Sequence, residues 1–412
     1  MRLLIVSQYF WPENFIVNDL VELLEERGVE VTVLTGKPNY PGGAIFEGYR
    51  AGSIQRQDYH GARVVRVPLI PRGQNSRARL ALNYISFLLS ASVLGPLALR
   101  GQKFDVVLVY ALSPLLKALA AMVLARLKRA PLVVWVQDLW PESLSATGHV
   151  RRRFVLDLVG HLVRAIYRRA KLVLVQSRAF VPAVSAYCDR PDKIRYYPNL
   201  YRQPPEGPPS AEAASLVEQL NRSFAVVLAG NIGTAQDPET ILATALALQG
   251  EADIRLVIVG SGSQSQWLAD RARELALDNL LLAGRFPPSD MPHIFSAASA
   301  LVLTLTADPA FALTVPSRLQ AYLAAGRPIV GALDGEAARI IAEAGAGHSV
   351  PAGAGDTLAA AIRDLARLPA VERAALGRNG RDYYERNFEP YSLTGDLVAH
   401  LQDAIALKGG TT

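Results

Sequence analysis

Four stretches of the chain combine residue types that can do chemistry. In Gln137-Asp138-Leu139-Trp140-Pro141-Glu142-Ser143, two carboxylates follow the apolar run Leu132–Val136. Ligands of α/β sheets bind outside the carboxyl ends of the strands, so carboxylates there face a ligand. Asp138 comes first off the run and is the better candidate for accepting a proton in catalysis. Capping of the following turn is the plain alternative. Trp11-Pro12-Glu13-Asn14-Phe15 holds the same place after the run Leu3–Val6. Its aromatic and amide groups suit a sugar or an isoprenoid phosphate, although Trp11 serves equally well as core.

The other two stretches lie in the second half. Gly230-Asn231-Ile232-Gly233-Thr234-Ala235-Gln236 directly follows the apolar run Ala225–Ala229. Glycines there let backbone approach a ligand, and the helix expected after Pro238 brings its amino end close. In Ala312–Gly326, Pro316 is placed in the first turn of a helix, where its missing N–H costs nothing. Thr314 precedes it, and Ser317 and Arg318 lie in that turn. A helix amino end with a hydroxyl and a guanidinium suits a diphosphate. An ordinary capped helix with a surface arginine is the alternative.

Several other chemistries find no support. Gly260-Ser261-Gly262 follows a strand-like run, but position 265 is Ser and no acidic residue ends the next run. It therefore reads as a tight strand-to-helix turn rather than a dinucleotide site. No Walker A sequence and no Asp-x-Asp pair occurs. The six histidines carry no metal-ligand spacing, and the single cysteine, Cys188, excludes a disulfide framework. No metal ligands are expected.

The elements that position these stretches follow a βα rhythm. Val17, Leu20, Val21 and Leu24 mark an amphipathic helix closed by Gly28, and Val29–Leu34 is the next strand. Strands recur at 106–110, 132–136, 172–176, 225–229, 255–259, 280–283, 301–305 and 328–331. Helices are expected at 316–325, near 335–344 and over 355–367. Uniformly apolar strands of this kind form parallel sheets covered on both faces. Between the two halves, Pro198–Ser210 holds five prolines in thirteen residues and reads as a linker. The chain is thus expected to form two doubly wound α/β domains in tandem.

Its 412 residues correspond to two or three domains of roughly 150 residues each. Half of them are hydrophobic and 19% charged, which supports a large core. The net charge of +6 hides an asymmetry: residues 1–200 hold 27 Lys and Arg against 14 Asp and Glu. The excess lies in 51–195, with 23 basic residues against 7 acidic ones, and suits phosphate-bearing partners or an anionic membrane surface. No nucleic-acid-binding motif accompanies it, so nucleic acid is not an expected partner. Ala81–Leu99 is uncharged and near membrane-spanning length, but contains Asn83, three serines, Gly95 and Pro96. With Arg77, Arg79, Arg100, Arg151–Arg153, Arg164, Arg168, Arg169 and Lys171 it reads as a surface lying on anionic lipid. A buried helix beside a solvated basic face is the alternative. The first residues do not form a signal peptide, so a cytoplasmic location is expected.

The runs Ser7–Asn14, Thr35–Pro41, Gln137–Ser143, Gly230–Gln236 and Pro316–Pro328 resemble family 4 glycosyltransferases. They are most similar to the branch that builds colanic acid, capsule and O-antigen, fucosamine transferases included. The resemblance spans essentially the whole chain and implies a GT-B fold, two Rossmann-like domains facing a central cleft. Residues 1–203 would bind the acceptor and 204–387 the nucleotide-sugar, with 388–412 a helix crossing back to the first domain. The implied reaction is retaining transfer of a hexosyl or N-acetylamino sugar from a UDP-linked donor, without metal or other cofactor. The implied acceptor is a polyprenyl-diphosphate-linked sugar or another saccharide, reached from the inner face of the cell membrane.

Four departures stand out. The family's glutamate pair would fall at Leu313 and Ala321, neither of them acidic. Asn14 and Phe15 replace its first-loop double glycine, and Asn231, Thr234 and Gln236 lack its phosphate-loop cation. Gln137 stands near its catalytic-cleft histidine. The resemblance makes Asp138 and Gln137 the catalytic pair, and Asn231, Gly233, Arg285, Thr314, Ser317 and Arg318 the donor set. Trp11, Glu13, Asn14 and Phe15 form the acceptor set. Two competitors are a nucleotide-sugar epimerase, whose carboxylates and histidine are not evident, and a non-catalytic scaffold, motivated by the lost glutamates.

Overall fold

The computed structural model describes residues 1–74, 76–142, 153–205 and 207–409. Ser143, Arg151 and Arg152 lie outside the described residues, as does the side chain of Arg153. The chain forms two units, Met1–Leu200 with Pro390–Thr412, and Tyr201–Glu389. Each is Rossmann-like, a sheet between helices.

The first unit holds eight strands: β1 (Arg2–Val6), β2 (Glu30–Thr35), β3 (Gln55–Tyr59), β4 (Ala62–Arg66), β5 (Val106–Ala111), β6 (Leu132–Val136), β7 (Leu172–Val175) and β8 (Ile194–Tyr196). They are ordered β3-β4-β2-β1-β5-β6-β7-β8, all parallel except β3, which pairs antiparallel with β4. The central strands are buried along their whole length, as their apolar runs predict. The β3–β4 hairpin has no such signature. In β3, Gln-Arg-Gln-Asp-Tyr leaves only its last residue buried, because an edge strand needs no apolar face. The helix Pro390–Gly409 sends Leu393, Leu397, Leu401 and Ala404 into the first unit's core, beside Leu3, Ile5 and Trp135.

The second unit holds β9 (Phe224–Ala229), β10 (Ile254–Val259), β11 (Leu280–Gly284), β12 (Ala300–Thr304), β13 (Ile329–Ala332) and β14 (Gly347–Val350). Their order is β11-β10-β9-β12-β13-β14, all parallel. Alternate residues of β9 enter different cores: Ala225, Val227 and Ala229 one, Val226 and Leu228 the other. That division is the signature of helices on both faces. The described residues of the proline-rich segment before Ala211 form neither helix nor strand. The next helix opens at Ser210, whose Oγ accepts the Ala213 N–H at 3.1 Å.

The apolar stretch of the first unit is the helix Arg77–Ala98, 22 residues long, with mean hydropathy 1.6 over an 18-residue window. Asn83, Phe87, Ala91, Gly95 and Ala98 form its buried face. At Gly95 an added Cβ would stand 3.0 Å from Leu34, so glycine lets the helix approach the sheet. The other face leaves Leu82, Ile85, Leu89, Val93 and Leu97 exposed. The buried-helix alternative is therefore wrong for most of this segment.

Candidate functional site

In the second unit the chain runs from β9 to β10 on one side and later to β12 on the other. The carboxyl end of β9 is thus a topological switch point, where open α/β sheets bind ligands. Gly230, at φ +117°, opens the loop there. The loop after β10 packs directly on it: a Cβ on Gly260 would come 1.9 Å from Gly230 O. One on Gly262 would come 2.2 Å from Ile232 O. Those glycines serve loop packing. The helix Ser317–Ala325 starts beside the same loops, and buried Tyr322 ties it to β9 by accepting the Ala229 N–H at 2.7 Å. This places the Arg318 guanidinium across Gly230, with Nη2 donating to Asn231 O at 3.1 Å. Its Nη1 is buried with no hydrogen-bond partner among the described residues. Burial lowers the pKa of Arg318, opposed by Tyr322 and by no carboxylate among the described residues. The result is a desolvated cation with an unspent donor, the arrangement an anionic group would satisfy.

In the first unit, the loops after β5 and β6 are joined by Asp138, whose Oδ2 accepts the Ser113 N–H at 2.6 Å. Trp140 Nε1 donates to Ser113 Oγ at 3.0 Å and fixes the same junction. Gln137 is buried with Nε2 unpartnered. Lys117, first residue of the helix Lys117–Lys128, is buried with Nζ unpartnered, 5.7 Å from the Tyr9 ring centroid. Burial pulls its amine down to about 7, and the Asp138 carboxylate opposes that shift. Tyr9 stacks on Phe15 at 5.3 Å, and Phe15 meets Tyr40 at 5.4 Å. An aromatic wall therefore runs from buried Tyr9 to exposed Tyr40. Among the described residues, no three His, Cys, Asp or Glu side chains gather to hold a metal.

Residues 14–199 match the glycosyl transferase 4-like domain family, and residues 212–383 match the glycosyl transferases group 1 family. The chain is a two-domain glycosyltransferase. No curated protein matches it by sequence. Among solved structures, sucrose-phosphate synthase from Thermosynechococcus elongatus is similar at TM-score 0.74 and 18% identity, over 98% of this chain and 99% of that one. Anabaena HepE in complex with UDP and glucose gives TM-score 0.68 and 17% identity, over 98% and 100%. The E. coli trehalose-6-phosphate protein bound with UDP-2-fluoro glucose gives 0.72 and 14%, over 97% and 99%. At these identities the likeness is one of fold.

The structure of the glycosyltransferase sorts the expected site residues. Around Gly230 it gathers Asn231, Gly233, Ser317 and Arg318, and also Arg285, whose Nε donates to Ser261 Oγ in the neighbouring loop. Two expected donors are already used. The Gly233 N–H binds Gln236 Oε1 at 3.0 Å, and Thr314 Oγ1 donates to Ala310 O at 3.0 Å. Pro316 is the N-cap with ψ 135°, so the helix begins one residue later than the first-turn proline implies.

The acceptor set divides. Phe15 belongs to the aromatic wall and Asn14 is exposed beside it. Trp11 instead packs on Tyr59 of the hairpin, at 5.4 Å. Glu13 is buried and accepts the N–H groups of Phe10, Asn39 and Tyr40 at 3.2, 2.8 and 2.8 Å. It knots two loops together, a structural role rather than the expected acceptor contact. Burial pushes it up to about 6 against the pull of those three N–H groups. Lys117, Tyr9 and Tyr40 were not legible as site residues. Lys117 is a single charge in the apolar stretch Leu115–Ala125, which reads as the solvent edge of a helix.

Proposed function

We propose that this glycosyltransferase moves a sugar from a UDP-linked donor, held by the second unit, to an acceptor held by the first. Transfer proceeds with retention and without a metal. The observation that carries the donor assignment is the buried, unpaired Nη1 of Arg318 at a switch point beside a helix amino end. The UDP-bound state of two similar structures supports UDP as the nucleotide. In this reading negative charge develops on the leaving diphosphate. Arg318 and the free amide groups of the first helical turn stabilise it in place, without reorganisation. Asp138, held by Ser113, accepts the proton of the attacking hydroxyl. Arg318→Ala is expected to weaken UDP binding at least about tenfold, the scale of a lost charge-assisted hydrogen bond, and Arg318→Lys to recover only part. UDP affinity unchanged in the alanine variant would remove the assignment.

The acceptor in this proposal is a polyprenyl-diphosphate-linked sugar in surface polysaccharide synthesis, O-antigen or capsule. The protein works peripherally at the inner face of the cell membrane. The exposed apolar stripe Leu82, Ile85, Leu89, Val93 and Leu97 supports this reading. Val123 and Leu127 on the adjacent helix extend it, and Arg77, Arg79 and Arg100 flank it. An apolar face of this size with a cationic border is the composition that partitions into the interface of anionic lipid.

A further inference from the structure

Of the first unit's buried side-chain atoms without a hydrogen-bond partner among the described residues, three lie on the segments that leave neighbouring strands at their carboxyl ends. They are Lys117 Nζ, Gln137 Nε2 and Gln176 Oε1. Register brings them together: Ala111 of β5 pairs Val136 of β6, and Val136 pairs Val175 of β7. Gln137 and Gln176 are each the first residue beyond their strand, so they stand side by side on one face. Lys117 begins the helix that follows β5. Native proteins pair nearly all buried polar groups, and each exception calls for a cause. Three together at the ligand-binding edge of a sheet are groups that one polar ligand would satisfy.

The types of these atoms narrow its chemistry. Lys117 Nζ and Gln137 Nε2 donate, whereas Gln176 Oε1 accepts. Asp138 adds a second acceptor, since only its Oδ2 is bound to Ser113. A phosphate or carboxylate would satisfy the donors and confront both acceptors with further lone pairs. Hydroxyl groups give and accept at once, and several of them on a rigid ring fit the whole set. The Tyr9 face, 5.7 Å from Lys117 Nζ and stacked on Phe15, offers an apolar surface for the ring's C–H side.

We propose that Lys117, Gln137 and Gln176 form a cradle for a sugar ring in the first unit, with Lys117 holding the hydroxyl presented to Asp138. The proposal rests on the glycosyl-transfer reading and deepens it. The ring belongs either to the acceptor or to the donor, and two arms of one experiment separate these. Wild type, Lys117→Met and Gln176→Leu are titrated calorimetrically with UDP, with the UDP-sugar that most stabilises wild type, and with a panel of methyl glycosides. UDP affinity is expected to stay the same in all three proteins. A loss of about tenfold or more in both variants confined to the UDP-sugar assigns the ring to the donor. The same loss confined to a methyl glycoside assigns it to the acceptor. Variants that bind every sugar as wild type does overturn the cradle, as does a wild type that binds no sugar in either arm. Melting temperatures report folding separately, and sugar affinity decides the role: a merely structural lysine would leave it alone whatever the melting temperature does. If wild type fails to bind UDP, the donor reading fails, and the methyl glycoside arm still decides the cradle.

Discussion

Burial without an ion pair is the common feature of the two cations in the proposed sites. Arg318 in one unit and Lys117 in the other are both desolvated, and neither forms an ion pair among the described residues. Sequence alone shows Arg318, because a proline and a small hydroxyl beside it announce a helix start. It does not show Lys117, which meets Tyr9 and Asp138 only when the loops after β1 and β6, the neighbours of β5 in the sheet, come together. Glu13 fails in the opposite direction. Its place in a loop after a strand reads as functional, yet three backbone N–H groups from two loops use it as an anchor.

Lys117 has a measurable signature in stability. Folded, its amine titrates near 7, with Asp138 the charged group beside it. Unfolded, it titrates at about 10.4. Between those values the unfolded chain binds more protons, so this residue's contribution to stability rises with pH. Lys117→Met is expected to melt higher than wild type at pH 7, by about 2 °C or more, and to lose that advantage as pH approaches 10. Thermal melts of both proteins at the two pH values check this, and a gap independent of pH would contradict it. Asp138→Asn keeps an oxygen for the Ser113 N–H and removes the charge. Turnover is expected to fall about a hundredfold or more with UDP affinity unchanged. Near-normal turnover, measured as UDP release, would place the base elsewhere.

At the scale of elements, legibility follows burial. The strand Leu132–Val136 is readable to the residue because both its faces are covered, so every position is apolar. The strands Gln55–Tyr59 and Gly347–Val350 are not, since edge positions tolerate polar residues and need no pattern. The helix Arg77–Ala98 is apolar all round, and that pattern cannot tell a core helix from a surface one. Structure resolves it, with one face on the sheet and five large apolar side chains outward. Such a face predicts peripheral binding. Wild type is expected to float with anionic vesicles at low salt, less so with neutral ones, and less again as salt screens the arginines. Leu89→Ser with Val93→Ser, both at exposed positions, should reduce flotation without lowering the melting temperature. A wild type that ignores anionic vesicles at low salt would contradict the membrane reading and the lipid-linked acceptor with it.

At the scale of the whole molecule, two Rossmann-like units with opposite charge balance form one chain. The basic excess lies in residues 51–195, within the unit proposed to meet the acceptor. The second unit lacks acids at Leu313 and Ala321, and in the proposed reading the donor is held chiefly through its diphosphate, by Arg318 and the helix amino end. That is the central claim. Its most direct measurement is the melting temperature of wild type with UDP-, GDP- and dTDP-linked sugars, in parallel with the sugars alone. A ligand that binds only the folded state at about a hundred times its Kd stabilises by about 2.7 kcal/mol. The account predicts a concentration-dependent rise with UDP-sugars that Arg318→Ala reduces to about half or less at the same concentration, and no comparable rise with free sugars. Unchanged melting with every nucleotide-sugar, at millimolar concentration, would contradict it.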